Sequence, residues 1–149
     1  MKLSTKGRYG VRALIDISVY SDGEHISLNS IADRQGISEN YLEQVFSALR
    51  KAGIVKSVKG AQGGYILADK PENITVGKIL RVLEGELSIV GERTDSSEPE
   101  DKSISNLLKI MVWDKMMDCI NQFVDSITLE DLADEYKRKN GMLNDMYYI

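Results

Sequence analysis

A short polar run, residues 38–44, has the side chains needed to form hydrogen bonds with nucleotide bases. It reads "SENYLEQ" and follows a Gly-containing turn, "QGIS". In the major groove, amides such as Asn40 and Gln44 can pair with adenine, and carboxylates such as Glu39 and Glu43 can accept from cytosine. A single surface amide is usually only solvated, so the hypothesis depends on their combination on one helical face. That face comprises Glu39, Asn40, Glu43, Gln44 and Ser47, flanked by Ser38 and Tyr41.

A second run, "KGAQGGY" from Lys59 to Tyr65, contains three glycines in five residues. Glycine-rich runs hold phosphates or turn hairpins. This run lacks the G-x-x-x-x-G-K-[ST] pattern of a phosphate-binding loop, and no helix is predicted directly after it. The tip of a DNA-binding wing and a simple flexible turn both remain open.

Basic residues stand near both runs. Arg50 and Lys51 lie at the end of the helix that carries the polar run, where they suit backbone phosphates. Four more basic residues belong to the first helix or precede it: Lys2, Lys6, Arg8 and Arg12.

The sequence offers no catalytic constellation. It contains neither G-x-S-x-G nor H-E-x-x-H. His25 is the only histidine and lies in a polar turn, where we expect it to be solvated. Cys119 is the only cysteine, which excludes an intramolecular disulfide and a metal site built from several thiolates. Its neighbours Met and Ile predict a buried thiol. We expect no enzymatic activity and no metal site.

These residues need elements to position them. Apolar spacing predicts a first helix from about Thr5 to Tyr20. A second helix follows the cap Ser27 and ends at Gly36. The third begins at the cap Ser38, ends before Gly53, and has one apolar face, formed by Leu42, Val45, Phe46 and Leu49. Two helices joined by a short turn are typical of a helix-turn-helix, although pairs in ordinary bundles look the same.

The next segments of the chain favour DNA binding. "IVKSVK" and "GYILAD" are rich in β-branched and aromatic residues and predict two strands around the glycine-rich run. A fourth helix is predicted from about Thr75 to Gly85. The order of these elements is that of a winged helix-turn-helix. The predicted fold is mainly α with a small β-hairpin, followed by a long C-terminal helix.

That long helix is predicted from about Ser103 to Ser126 and is apolar on more than one stripe. Residues at steps of three and four form a heptad-like seam. One side can pack on the N-terminal unit and the other is a candidate dimer interface, unless the helix is buried within its own domain. The candidate interface residues are Leu108, Met111, Trp113, Met116, Ile120 and Phe123.

Charge divides the chain into unlike halves. Residues 1–85 carry 12 basic against 9 acidic side chains, and residues 86–149 carry 7 against 14, within a net charge of −4. We predict a DNA-binding domain over 1–85, an acidic loop over 86–102, and the long helix, a short helix capped by Thr128 and an apolar tail over 103–149. The longest apolar stretches fall far short of the roughly 20 residues that span a bilayer, and residues 1–10 lack the pattern of a signal peptide. We expect a cytoplasmic protein with no membrane partner.

Three stretches carry a resemblance to a known family. "STKGRYGVRAL", "SIADRQGISENYLEQVFSALRKAGIVKSVKGAQGGYIL" and "ITVGKILRVLEG" resemble the Rrf2 family of bacterial winged-helix transcription regulators, and the resemblance extends through "ITLEDLADEY". It implies a homodimer joined by the long helix. It also implies that the third helix enters the major groove and the wing tip enters the adjacent minor groove.

The resemblance assigns roles to the residues described above. The base-reading candidates are Ser38, Glu39, Asn40, Tyr41, Glu43 and Gln44. The wing candidates are Lys59, Gly60, Ala61, Gln62, Gly63 and Gly64. The phosphate candidates come from the positions of the basic residues and not from the resemblance: Lys2, Lys6, Arg8, Arg50 and Lys51. Lys59 stands where members often have Arg, and because an ammonium is more strongly hydrated than a guanidinium, this contact should be weaker.

One departure from the family concerns the cofactor. Members that bind an iron–sulfur cluster carry three cysteines between the fourth helix and the long helix, and the corresponding segment here contains none. Because thiolates hold such clusters, we expect no cluster and no other cofactor. The chain is most similar to the cluster-free repressors of cysteine metabolism, which implies regulation of cysteine and sulfur genes together with a cysteine synthase partner. A regulator that senses another small molecule or an oxidant, and an interaction module that no longer binds DNA, are the alternatives.

Overall fold

The computed structural model describes residues 2–90 and 103–142, and their elements follow the predicted order. The elements are α1 (Thr5–Tyr20), α2 (Leu28–Gln35), α3 (Glu39–Lys51), β1 (Val55–Val58), β2 (Gly64–Leu67), α4 (Val76–Glu84), α5 (Ile104–Leu108), α6 (Asp114–Ser126) and α7 (Leu129–Lys139). A 3-10 turn, Pro71–Asn73, precedes α4, and a π-helical segment, Lys109–Trp113, lies between α5 and α6. The predicted fold class, mainly helical with a small β-hairpin, is confirmed.

Hydroxyl side chains fix where most of these helices begin. In each case the side-chain oxygen accepts a hydrogen bond from the backbone amide three residues later, which contributes about 1 kcal/mol per cap. The capping residues are Ser4, Ser27, Ser38, Thr75, Ser103 and Thr128. Gly36 ends α2 in the left-handed conformation, with φ +65°, which a residue without a Cβ adopts without strain. This glycine makes the tight turn from α2 into α3.

The core lies between α1, α3 and α4. The apolar face of α3 is buried as predicted, and Phe46 is fully buried. Gly10 of α1 lets the helices approach closely, because a Cβ there would overlap Leu83 of α4 and lie 3.3 Å from Cγ1 of Val45. Truncating a buried phenylalanine such as Phe46 to alanine costs about 3–5 kcal/mol. The buried face of α3 therefore holds its opposite, polar face in a fixed orientation.

The two strands form an antiparallel hairpin in which Val55 pairs with Leu67 and Val58 with Gly64. The segment between α1 and α2 adds a third, short partner. There, the amide of Ile26 donates to the Tyr65 carbonyl at 2.9 Å, and the amide of Tyr65 donates to the Ile26 carbonyl at 2.8 Å. The hairpin is therefore attached to the helical unit by backbone hydrogen bonds.

The elements α5, the π segment and α6 run without a break from residue 104 to residue 126 and are here called the long helix. A π turn contains one residue more than the α-helical pattern expects. That extra residue rotates the following face by about 100°. The predicted heptad-like seam begins at Trp113, where the π segment ends, and continues along α6. The π turn therefore changes the angular position of Leu108 and Met111, which were predicted to widen the apolar surface, relative to that seam.

Large apolar side chains of the long helix are exposed in the single chain. Ile104 is 77% exposed, Phe123 65% and Leu107 58%. The alternative that this helix is buried within its own domain is wrong.

The C-terminal helices contact the N-terminal unit through both polar and apolar side chains. Arg81 of α4 donates to both carboxylate oxygens of Asp125, at 2.6 and 2.9 Å, and to Oδ1 of Asn121 at 2.9 Å. Beyond α6 the chain returns to α1, and Leu129 of α7 is fully buried in the common core. Most of the expected C-terminal tail, 143–149 of residues 140–149, lies outside the described residues, as does most of the expected acidic loop, 91–102 of residues 86–102. The three-part division of the chain stays a prediction.

Among the described residues, no helix has both the length and the apolar character needed to cross a membrane.

Candidate nucleic-acid interface

The N-terminal half of α3 presents the predicted base-reading set on the surface. Five of its six members are exposed, and Tyr41 is half-buried. The Ser38 oxygen accepts from the amide of Tyr41 at 3.1 Å. Because a hydroxyl has one donor and two acceptor positions, Ser38 can cap the helix and still donate to a base.

Glu43 and Gln44 lie one turn further along α3. No hydrogen bond to another described residue holds either side chain, and both are exposed. Glu39 differs, since its Oε2 accepts from Nδ2 of Asn29 at 3.3 Å, which links the starts of α2 and α3. The carboxylate and the amide at positions 43 and 44 are therefore available to an external partner.

Tyr41 is partly used inside the protein. Its ring meets the Tyr9 ring edge-on, with 5.7 Å between ring centroids and an interplanar angle of 79°. The Arg12 guanidinium lies 5.3 Å from the centroid of Tyr9 and donates to the Gln35 carbonyl at 2.6 Å. These contacts connect α1 to the beginning of α3 and to the end of α2.

A buried carboxylate that sequence reasoning missed sets the position of α2. Asp16 of α1 is 2% exposed, and its oxygens accept from Nη2 and Nε of Arg34 at 2.7 and 2.8 Å, and from Nε2 of Gln35 at 3.0 Å. The hydrogen bonds to Asp16 raise the pKa of Arg34, whose guanidinium also lies over the Tyr20 ring. The signal was present in the sequence, because Asp16 interrupts the apolar face of α1 between Ala13 and Ile17.

The wing turn, Lys59–Gly63, joins β1 to β2 and is closed by a hydrogen bond from the Gly63 amide to the Gly60 carbonyl at 3.0 Å. Its glycines have different roles. Gly60 has φ +122°, which favours glycine. A Cβ on Gly63 would instead overlap the carbonyl of Val58, and one on Gly64 would overlap the carbonyl of Ile26. Close backbone packing, rather than positive φ, explains these two.

The wing is anchored at its base and at its tip. At the base, the Tyr65 ring packs on Phe46 of α3, with 4.8 Å between centroids. At the tip, Nε2 of His25 lies 2.5 Å from the carbonyl oxygen of Gln62. The expectation that His25 is only solvated is therefore incomplete: the ring is exposed, yet it contacts the wing turn.

The basic candidates lie at the surface around these elements. Lys2, Arg8, Arg50 and Lys51 are exposed, Lys6 is half-buried, and Lys59 is exposed in the wing turn. None of them forms an ion pair with a carboxylate in the described part of the chain. Their charge is therefore available to phosphates.

The predicted dimer residues lie along the long helix. Leu108, Met111, Trp113, Met116 and Phe123 are exposed, whereas Ile120 is half-buried. Cys119 is exposed as well, so the prediction of a buried thiol is wrong for the single chain. No other described element of the single chain covers the side of α6 that carries Cys119. The apolar periodicity around Cys119 did not indicate this.

A helix-turn-helix formed by α2 and α3, with a hairpin packed beside it, defines a winged-helix protein, a fold used to bind double-stranded DNA. Residues 3–135 match the Rrf2 family, described as iron-dependent transcriptional regulators, and the chain belongs to that family. The resemblance stated from the sequence is confirmed.

Individual proteins similar to this chain are transcriptional regulators as well. The HTH-type transcriptional regulator CymR of Bacillus subtilis (strain 168) is 45% identical over 133 residues, covering 89% of this chain and 90% of CymR. The solved structure of CymR, the global cysteine regulator of B. subtilis, matches with a TM-score of 0.75 and 44% identity, over 91% of this chain and 98% of that one. That of T. potens IscR matches with a TM-score of 0.74 and 47% identity, over 93% and 90%. The chain is a transcriptional regulator and not an enzyme, as expected.

Proposed function

We propose that this chain is a homodimeric repressor that reads operator DNA with α3 and the wing turn and controls genes of cysteine and sulfur metabolism. The observation that carries the proposal is the pair Glu43 and Gln44, exposed and without described partners on a helix whose opposite face is buried in the core. A helix held in this way can enter the major groove as a rigid element. Ser38, Glu39, Asn40 and Tyr41 then contact DNA next to Glu43 and Gln44.

Glu43 is expected to act in specificity rather than affinity. A carboxylate near phosphates is repelled, so its presence lowers non-specific binding. Where it meets a cytosine amino group the repulsion is offset by a hydrogen bond, and at any other base the charge is left unpaired. Gln44 can form two hydrogen bonds with adenine, and such a bidentate pair contributes about 1–3 kcal/mol of discrimination.

The wing turn is expected to enter the adjacent minor groove. Lys59 carries the charge, and the glycines at 60, 63 and 64 keep the backbone narrow. The His25 contact to the Gln62 carbonyl supports a defined conformation of the turn. Lys59 therefore contributes to affinity on all sequences, with a preference for narrow grooves.

Dimerisation through the long helix places two copies of this surface on one operator. The exposed apolar residues of that helix support the proposal, because contiguous apolar surface of this kind marks interaction sites. A two-fold dimer binds half-sites related by the same symmetry. We therefore expect a palindromic operator. We also expect the protein to act in the bacterial cytoplasm without a membrane partner.

Control of cysteine metabolism is proposed from the likeness to CymR of B. subtilis. A cysteine synthase partner is proposed on the same ground as the reporter of sulfur status. Gel shifts on promoters of sulfur-metabolism genes, with and without cysteine synthase, test both parts. Specific binding in at least one condition is expected, and no specific binding in either would contradict the assignment to cysteine genes.

The donor set of this chain does not fit an iron–sulfur cluster, although the family is described as iron-dependent. The chain supplies one thiolate, Cys119, and in the described ranges no three His, Cys, Asp or Glu side chains are grouped to hold a metal. Clusters are held by several thiolates. We propose a cluster-free regulator, and stoichiometric iron and sulfide after anaerobic purification would overturn this.

The roles of α3 and the wing are separated by a matched pair of variants. Gln44→Ala should relax the preference for operator over non-operator DNA. Lys59→Ala should weaken binding to operator and to non-operator DNA alike. It should also reduce the slope of log affinity against log salt concentration by about the value of one phosphate contact. Equal losses on both DNAs from both variants would contradict this division.

Sensing of an oxidant is an alternative: Cys119 is exposed in the single chain, and thiol oxidation requires access that the dimer must also leave open. Cys119→Ser tests it. Under that alternative, peroxide would change DNA binding of the wild type and leave the variant unaffected.

A further inference from the structure

The carboxylate of Glu84, the last residue of α4, holds the beginning of α1. Its Oε1 accepts a hydrogen bond from the backbone amide of Ser4 at 2.8 Å and another from the Ser4 hydroxyl at 2.5 Å. The same hydroxyl oxygen accepts from the Gly7 amide at 3.2 Å as the cap of α1. One carboxylate therefore orients the cap and, through it, the first turn of the helix.

Gly7 makes room for this arrangement. A Cβ at position 7 would overlap Oε1 of Glu84 and lie 3.0 Å from its Cδ. Gly7 lies within a helix, where glycine is a poor helix former. The space taken by the Glu84 carboxylate gives a physical reason for this glycine.

Three of the proposed phosphate contacts stand at the same end of α1. Lys2 precedes the cap, and Lys6 and Arg8 lie in the first turn and at the start of the second. None of them pairs with Glu84 or with any other carboxylate that the structure describes. A carboxylate here repels phosphates and lowers affinity unless it does something else for binding. Holding Ser4 is such a contribution, because it fixes the direction in which Lys6 and Arg8 leave the helix and the point at which the chain carrying Lys2 enters it.

Glu84 is itself fixed through α4. Three residues earlier, Arg81 binds both carboxylate oxygens of Asp125 and the amide oxygen of Asn121 on α6. The hydrogen-bond chain therefore runs from the long helix through α4 to the start of α1. A shift of α4 would move Ser4 with it.

We propose that Glu84 is a positioning residue for DNA-backbone binding: its bonds to Ser4 hold the start of α1 so that Lys2, Lys6 and Arg8 meet phosphates. The inference rests on the proposed function, because it concerns the same protein–DNA contact.

The test measures the dissociation constant for operator DNA by fluorescence anisotropy over a series of salt concentrations. The logarithmic slope counts phosphate contacts at about 0.9 per contact on duplex DNA. Glu84→Ala should reduce the slope by about 1–3, one contact for each cation that loses its orientation. Raising the salt concentration from 50 to 200 mM lowers the affinity by a certain factor, and each lost contact makes that factor about 3.5-fold smaller.

Gly7→Ala gives the same test with the carboxylate still present. The new methyl group displaces Glu84 from Ser4, while alanine favours the helix more than glycine does. The slope should fall as for Glu84→Ala. In the double variant Gly7→Ala/Glu84→Ala the new methyl group enters the space left by the Glu84 carboxylate. The slope should therefore equal that of Glu84→Ala alone.

Two further variants separate position from charge. Glu84→Gln retains an acceptor for Ser4 and should keep the wild-type slope. Glu86→Ala removes an exposed carboxylate two residues along the chain and should also leave the slope unchanged.

A purely structural role would lower the melting temperature without moving the slope. An unchanged slope for Glu84→Ala, or an equal loss for Glu84→Gln, would overturn the inference. Wild-type protein that shows no salt-dependent DNA binding would contradict the proposed function itself, so the two failures are distinct.

Discussion

Phe123→Ala should weaken the proposed dimer strongly. Phe123 lies near the end of α6 and is 65% exposed in the single chain. A phenylalanine side chain presents roughly 200 Å² to solvent, so covering the exposed part removes about 130 Å² from water. At about 25 cal/mol per Å², this burial contributes about 3 kcal/mol per copy.

The alanine variant retains part of that gain, because its methyl group is still buried. The net loss is about 2 kcal/mol per copy. In a two-fold dimer each substitution occurs twice, so the free energy of dissociation should fall by about 4 kcal/mol. This corresponds to an increase of about 1000-fold in the dissociation constant of the dimer.

Sedimentation equilibrium over a range of protein concentrations measures that constant. A matched pair of methionines provides the control. Met111 on the long helix is 54% exposed and Met142, beyond α7, is 43% exposed. Met111→Ala should weaken the dimer and Met142→Ala should not. A dissociation constant unchanged by Phe123→Ala, or weakened equally by both methionine variants, would refute the assignment of the long helix to the interface.

Three further predictions rest on contacts inside the chain. Asp16→Ala should lower the free energy of urea unfolding by about 3 kcal/mol, because it leaves the partly buried Arg34 unpaired; a loss within 0.5 kcal/mol, roughly that of a surface substitution, would contradict this. The hydrogen bond from Arg81 lowers the pKa of Asp125, so this pair stabilises the fold above the unfolded-state pKa of about 3.9 and loses its effect as the pH falls through the lower folded-state value. Asp125→Asn should therefore flatten the acid side of the melting-temperature profile below about pH 4, and an unchanged profile would count against the pair. His25→Ala should speed amide exchange in the wing turn but leave exchange in α3 unaltered; equal changes in both would mean that the histidine acts on the whole domain.

Local signals explain why the helix boundaries could be predicted. The caps at Ser27, Ser38, Thr75 and Thr128 act on amides three residues away, and Gly36 ends its helix through its own backbone conformation. Apolar periodicity then fixed the buried face of α3. Each of these signals lies within one or two turns of the residue it positions, so a single sequence contains it.

The contacts that position the site were not predictable in the same way. The bond between His25 and Gln62 spans 37 residues, and those between Ser4 and Glu84 span 80. Nothing in the neighbourhood of Glu84 indicates that its carboxylate reaches another helix. Gly7 was the one local sign of the contact between Glu84 and Ser4, because a glycine within a helix needs a structural reason.

The π segment was also beyond sequence reasoning. Residues 109–113 read "KIMVW", an ordinary apolar helical stretch. These five residues are all exposed in the single chain, and no local sequence signal marks the extra residue in the turn. Periodicity predicted an apolar helix correctly, but it could not give the angle at which Leu108 and Met111 stand to the seam that begins at Trp113.

Sequence-specific DNA binding is the property on which every other role proposed for this chain depends. Genomic DNA fragments from the source organism, bound in vitro by the purified full-length protein with and without cysteine synthase and then sequenced, test it most directly. We predict a shared palindromic motif upstream of genes for cysteine and sulfur metabolism, and a relaxed base preference within that motif for Gln44→Ala. Bound fragments that share no motif, or no retention above that of a protein lacking a DNA-binding surface, would contradict the central claim.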